Sequence, residues 1–305
     1  MPMYKLEDKS LTPIKELDFN LEKDIQNLCE SNLNIIFGLE LVKPQFVIED
    51  IRMDTLAFDN KNKSFVIIEY KKDKNLSVID QGYTYLSKIL NNKAECIVEY
   101  NENKRESIRR DDIDWTQTKI IFVSPSFSQY QIQATNFKDL PIELWEIKIY
   151  TNNTVRIEQI NPSSTTESIK TISKNSAMIK RVNTEVKVYT EEDHLNSTAD
   201  DIKELYETLK TLILNIGSGR IKIKPVKNYI GFIANTNFVD IHIQKKALKI
   251  WINMSKGTLD DPKGIARDVS GIGHWGNGDY EIQINNTNDI EYIMTLAKQS
   301  YKKNT

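Results

Sequence analysis

Leu21, Ile25, Leu28, Ile35 and Ile36 recur at helical spacing across residues 19–37, which predicts an amphipathic helix with one apolar face. Beyond Pro44 the period becomes that of strands. FVIED, RMDTLAFD and SFVIIEY are short runs of apolar or β-branched residues, and the polar Asn-Lys-Asn-Lys stretch between the last two suits a turn, so a three-stranded meander is expected. Helical spacing returns over residues 78–91 through Ile79, Tyr83, Leu86, Ile89 and Leu90. AECIVEY and TKIIFVS then read as strands, and WEIKIY with VRIEQI as a closing hairpin. The order helix, three strands, helix, strand describes an α/β fold, a mixed sheet flanked by helices.

Large apolar residues become scarce at Asn161, where NPSSTTESIKTISKNS is rich in Ser and Thr. Residues 161–197 are therefore read as a linker between a domain of residues 1–160 and a smaller one of residues 198–305. In the latter, DIKELYETLKTLILNIG predicts a helix with Gly217 and Gly219 as stops. RIKIKPV, YIGFIA, FVDIHIQ and ALKIWINM predict short alternating strands, DYEIQI one more, and IEYIMTLAKQSYKK a final helix. This is an α+β domain with an antiparallel sheet.

Composition narrows the setting. With 305 residues, 39% of them hydrophobic and 28% charged, the chain matches an ordinary globular protein of two domains. No apolar run nears the roughly 18 residues needed to span a bilayer, and the charged start has no signal-peptide core, so a cytoplasmic location without membrane contact is expected. Cys29 and Cys96 offer neither a disulfide framework nor a zinc site and are expected to be buried thiols. His194, His242 and His274 lie outside any metal-binding spacing. A net charge of −2 gives no whole-chain attraction to nucleic acid, so such a surface has to be local.

Asp54 falls within the second predicted strand and Glu69-Tyr70-Lys71 ends the third, where period-two alternation sets Glu69 and Lys71 on one face. A turn near residues 60–63 pairs Asp54 with that end and brings the two carboxylates together. Clustered carboxylates suit Mg²⁺. Phosphodiester hydrolysis needs a polarised phosphoryl oxygen, an activated water and positive charge for the developing dianion, which a neighbouring ammonium helps to supply. Taken alone, Asp with Glu-x-Lys is also what a solvated charge cluster at a strand end looks like.

These elements and residues resemble the PD-(D/E)XK nuclease superfamily, whose core runs helix, three-strand meander, helix, strand, with the Asp and the Glu-x-Lys on adjacent strands. Gln81-Gly82-Tyr83-Thr84-Tyr85 in the next helix is similar to the Gln-x-x-x-Tyr signature of the RecB-like branch. The resemblance implies a restriction-endonuclease-like core and a Mg²⁺-dependent nuclease in which Mn²⁺ can substitute. It implies Asp54, Glu69, Lys71, Gln81 and Tyr85 as the catalytic set and Asp54, Glu69 and Glu22 as metal ligands, with Glu30 competing for the helical role. It also implies nucleic acid as the partner, DNA in the first place. Met53 stands where the superfamily loosely prefers Pro.

Arg52 shares a strand face with Asp54 and is either a phosphate contact or an ion-pair partner. Residues 220–228 and 241–257 carry no acid, so Lys222, Lys224, Lys245 and Lys246 are candidates for a basic, nucleic-acid-binding surface or an ordinary solvent face. GIGHWGNGDYE combines glycines with His274 and Trp275 in a segment that suits close backbone approach to a ligand or a hairpin around a buried Trp. This half is similar to an uncharacterised domain of bacterial proteins, and substrate recognition, a homodimer interface and ligand sensing all remain open for it. The alternative to a nuclease is a catalytically inactive nucleic-acid-binding or assembly module on the same fold.

Overall fold

The computed structural model describes residues 3–72, 77–161, 167–169 and 176–305, which divide into two compact units, Met1–Val188 and Tyr189–Thr305. The first unit opens with a hairpin, β1 (Met3–Glu7) and β2 (Ser10–Ile14), followed by the short β3 (Glu16–Leu17), none of which the hydrophobic pattern announced. Then come α1 (Glu22–Glu30), α2 (Leu33–Phe37), β4 (Glu40–Ile48), β5 (Ile51–Asp59), β6 (Ser64–Tyr70), α3 (Val78–Asn91) and α4 (Lys93–Lys104). The unit is completed by β7 (Lys119–Ser124), α5 (Gln129–Ala134), β8 (Ile142–Tyr150), β9 (Val155–Ile160) and α6 (Ala177–Glu185).

The sheet runs β4-β5-β6-β7-β8-β9, with β3 also paired to β8. It is mixed, because β6, β7 and β8 are parallel and the other neighbours antiparallel. Every residue of β6 is buried, which explains its unbroken apolar run: a central strand covered on both faces has no polar side. Phe65 and Ile67 pack toward α3 with Tyr83, Leu86 and Ile89, while Val66, Ile68 and Tyr70 pack toward α1 with Ile25 and Cys29. By the same alternation Glu69 lies on the α3 side, where Gln81 reaches it.

Three expectations change. The helix over 19–37 is two helices, interrupted at Ser31-Asn32, where Asn32 Nδ2 caps the Leu28 carbonyl at 2.8 Å; Ile35, counted on its apolar face, is exposed. AECIVEY is the helix α4, not a strand. Its Ile-Val pair suggests a strand, but burial follows the helical i, i+4 pair Cys96 and Tyr100 and leaves Val98 exposed. The proposed linker contains α6, whose Val182 joins the first unit's core with Val186 just beyond the helix, and whose Asn183 accepts from the Tyr83 hydroxyl at 3.0 Å. Residues 162–166 and 170–175 of that stretch lie outside the described residues. Trp115 stacks on Phe65 and Trp145 meets Phe37 edge-on, so both pack within the unit. Cys29 and Cys96 are buried, and burial pushes both thiols up to about 12.

In the second unit α7 (Glu191–Leu195) and α8 (Asp200–Ile216) precede β10 (Lys222–Pro225), β11 (Ile230–Ile233), β12 (Asn237–Ile243) and β13 (Leu248–Ile252). β14 (Arg267–Asp268), β15 (Tyr280–Ile284) and α9 (Ile290–Lys303) follow. The sheet is antiparallel throughout, in the order β10-β11-β12-β13-β15-β14. Leu205, Leu209 and Ile213 of α8 and Ile293 and Leu296 of α9 fill one of its faces against Phe232, Val239, Ile250 and Ile252. Among the described residues no helix is long and apolar enough to cross a membrane.

Candidate active site

The site forms where β5 and β6 part. Up to Thr55 and Ile68 they keep a regular backbone ladder, and beyond that pair side chains take its place. Tyr70 N–H donates to Asp54 Oδ2 at 3.0 Å, Asp54 N–H to Glu69 Oε2 at 3.3 Å, and Lys71 N–H turns to the Val123 carbonyl of β7 at 2.9 Å. The gap in the ladder holds the two carboxylates side by side, with their remaining oxygens turned away from the backbone.

Glu69 Oε1 is the focus of the site. Lys71 Nζ donates to it at 2.8 Å and Gln81 Nε2 at 3.1 Å, and the Tyr85 hydroxyl, itself accepting from Gln81 Nε2 at 2.9 Å, stands 3.4 Å away. Gln81 and Tyr85 reach it together because residues four apart share a helix face. Gly82 lets that helix approach: a Cβ there would stand 2.6 Å from Ile142 Cδ1. The amide orientation of Gln81 is set by the carboxylate it serves, and this leaves Gln81 Oε1 buried with no hydrogen-bond partner among the described residues.

Glu69 and Lys71 are largely withdrawn from water, their side chains 5% and 14% exposed. Burial and then the Asp54 charge push the Glu69 carboxyl above its usual range, against the pull of Lys71. Burial draws the Lys71 ammonium down, but Glu69, Glu22 and Asp54 outweigh it and hold it above its usual value. A raised carboxyl contributes stability that is present below its unfolded value and lost as pH rises through its folded one. The contribution of Glu69 to the stability of the metal-free protein is therefore expected to fall as pH rises above the unfolded carboxyl value. Asp54→Asn, which removes one cause of the shift, should reduce that loss. Melting temperatures in EDTA across this range check it, and identical pH slopes for the two proteins would contradict it.

Other expected site residues lie elsewhere. Glu22 is exposed at the start of α1, accepts from the Lys72 N–H at 3.0 Å and acts on Lys71 by its charge. It does not join Asp54 and Glu69: among the described residues no three His, Cys, Asp or Glu side chains gather closely enough to hold a metal. Glu30 instead accepts from Thr55 Oγ1 at 2.6 Å and from Gln26 Nε2 at 2.8 Å. Arg52 is exposed, and its carbonyl lies 3.4 Å from the Tyr85 hydroxyl. Lys222 and Lys224 lie on β10, while Lys245 and Lys246 fall in the turn between β12 and β13, so the four do not share one strand face.

Two residues escaped the sequence reading. Gln26, 3% exposed on α1, donates to the Asp54 carbonyl at 3.1 Å, and Gln45 Nε2 is 3.4 Å from Asp54 Oδ1. Gln45 has φ 52°, a left-handed conformation uncommon outside glycine, which turns its side chain toward Asp54 in the middle of β4. A Gln on an apolar helix face was the only available signal for Gln26, and nothing in the sequence marks Gln45.

An uncharacterized protein of Haemophilus influenzae is 49% identical over 302 residues, which cover 99% of this chain and 100% of that protein. The chain belongs to that protein's family. Residues 191–304 of this family member also match the model described as "Domain of unknown function (DUF5655)", which falls within the second unit. Among solved structures, a repair endonuclease from Pyrococcus abyssi is 19% identical with a TM-score of 0.25, covering 39% of this chain and 44% of that one. EndoMS in its apo form is 13% identical with a TM-score of 0.26, covering 44% and 58%. EndoMS in complex with double-stranded DNA is 11% identical with a TM-score of 0.25, covering 48% and 64%. The chain thus spans less than two thirds of each of these structures.

Proposed function

We propose that the first unit is a metal-dependent nuclease that hydrolyses phosphodiester bonds, with DNA as its substrate and the second unit as its recognition or assembly part. The observation that carries this is the placement of Asp54, Glu69 and Lys71 in the gap between β5 and β6, with Gln81 and Tyr85 of α3 closing on the same carboxylate. DNA is the substrate class that the PD-(D/E)XK resemblance points to.

The residues present fit Mg²⁺. That ion is commonly held by one or two carboxylates and keeps several of its waters, so Asp54 and Glu69 are a sufficient protein set without Glu22. Two features support the fit: burial and then the Asp54 charge raise the Glu69 carboxyl, a cost that a bound cation would relieve, and the buried Gln81 Oε1 has no donor among the described residues. When bound, the ion would polarise the phosphoryl oxygen and make a water acidic enough to attack. Lys71 holds its proton and offsets negative charge at the phosphoryl group. Gln81 and Tyr85 fix the rotamer of Glu69, and Gln45 and Gln26 steady Asp54 from the other side.

The test is incubation of the purified protein with plasmid, linear duplex, single-stranded DNA and RNA in Mg²⁺. Cleavage of at least one DNA form, lost in Asp54→Asn, is the expected result. Intact DNA throughout would favour the inactive binding or assembly module.

A further inference from the structure

The sheet of the second unit has one face filled by α8 and α9, and register arranges chemistry on the other. A row crosses all six strands in the order Lys224, Gly231, Asp240, Trp251, Glu281, Arg267. Lys222 lies on one side of this row, and the cross-strand pair His242 and Lys249 on the other. None of these belongs to the apolar core beneath.

The two acids of the row are buried and hydrogen-bonded within the unit. Asp240 is fully buried and accepts from the backbone N–H and Nδ2 of Asn277, both at 2.7 Å, and from Asn237 and Asn253. Glu281 is buried and accepts from Arg267 at 2.8 Å, with Lys249 at 3.5 Å. What the row and its flank present to water is basic: Lys222 and Lys224 are exposed, as is Arg267, which stays paired with Glu281.

Aromatic rings lie over the same face. Asn277 ties the Gly-rich segment to Asp240, and Gly276 allows close approach, since a Cβ there would run into the Trp251 indole. That places the His274 ring nearly parallel to Trp251, at 22° and 6.4 Å between centroids, and Trp275 edge-on to His242 at 4.6 Å. Trp275 nevertheless remains 54% exposed, and the buried Trp251 Nε1 has no hydrogen-bond partner among the described residues.

We propose that this face binds an unpaired nucleic-acid strand, its phosphates over Lys222, Lys224 and Arg267 and its bases stacked on Trp275 and His274. A polyanion whose repeating units carry planar rings matches a basic surface with an exposed indole, and a duplex keeps those ring faces hidden in its stack. The proposal is independent of cleavage by the first unit, because binding is measured in EDTA.

Fluorescence anisotropy of the full chain with labelled oligothymidylate of about 20 nucleotides, against a duplex of equal length, tests it. The single strand should bind at least about tenfold more tightly than the duplex. Trp275→Ala should weaken it by about tenfold, within the range of a lost base stack. Lys222→Gln with Lys224→Gln should weaken it and flatten the slope of log affinity against log salt by about 1.4, two lost phosphate contacts. Lys298→Gln, an exposed position on α9, should change nothing. An oligouridylate in the same assay assigns the strand as RNA or DNA, either supporting the site. Equal affinity for the duplex, wild-type binding by the Trp275 and double-Lys variants, or an equal loss in Lys298→Gln would overturn it. Failure of the cleavage test leaves these outcomes unaffected.

Discussion

Lys71→Met should abolish cleavage while leaving substrate affinity within a few-fold of wild type. The ammonium sits 2.8 Å from Glu69 Oε1 and is charged above its usual range, so it is placed to offset charge that grows only as the phosphoryl group reacts. By analogy with a lost oxyanion donor, its removal costs on the order of 3–4 kcal/mol in the transition state, roughly a hundredfold or more in rate. A structural role makes a different forecast. With both partners mostly withdrawn from water, taking away one leaves an unpaired buried charge, a loss of about 3–5 kcal/mol in stability and no specific loss of rate. Single-turnover cleavage measured well below each protein's melting temperature separates the two. Lys71→Arg serves as the second variant: it keeps the charge and should recover much of the melting temperature, but not the full rate, because a planar fork does not replace a compact ammonium. Cleavage by Lys71→Met within threefold of wild type, at saturating Mg²⁺, would remove Lys71 from the chemistry.

Cleavage should vanish in EDTA and return with Mg²⁺ or Mn²⁺, the second large effect. Lys71 is held protonated and cannot take a proton from water, and the carboxylates of Asp54 and Glu69 are weak bases toward a water that no cation has acidified. A cation held by Asp54 and Glu69 would supply that acidification. Ca²⁺ should support substrate binding with little turnover, because its larger and looser oxygen shell orients the reactants less strictly. Isothermal titration of metal-free protein with Mn²⁺, compared between wild type and Asp54→Asn, reads the same ligand set without activity. Cleavage that persists in chelator, or turnover in Ca²⁺ equal to that in Mg²⁺, would contradict this assignment.

Much of the scaffold is legible in one dimension because its signals are local. The unbroken apolar run of β6, the helical spacing of α3 and the alternation of β12 and β13 each follow from which faces are covered, and the chain records that directly. AECIVEY misled for the opposite reason: a short run with β-branched residues satisfies either period, and only its neighbours in space select the helix. The segment after Ser176 was legible in principle, since Ile179, Val182 and Val186 keep helical spacing, but its polar surroundings masked it.

What the sequence determined by itself was the shared face of Glu69 and Lys71, a consequence of the strand period, and the shared face of Gln81 and Tyr85, a consequence of the helix period. Tertiary structure alone decided the rest. The parting of β5 and β6 that turns two strand residues into adjacent carboxylates, the left-handed Gln45 at Asp54, and the separation of Glu22 from both depend on contacts between residues from about 9 to 50 positions apart. No local period encodes such contacts, because they are set by how whole elements pack. The row from Lys224 to Arg267 is of the same kind: each residue sits on its own strand, and only the order and register of the sheet bring them onto one face.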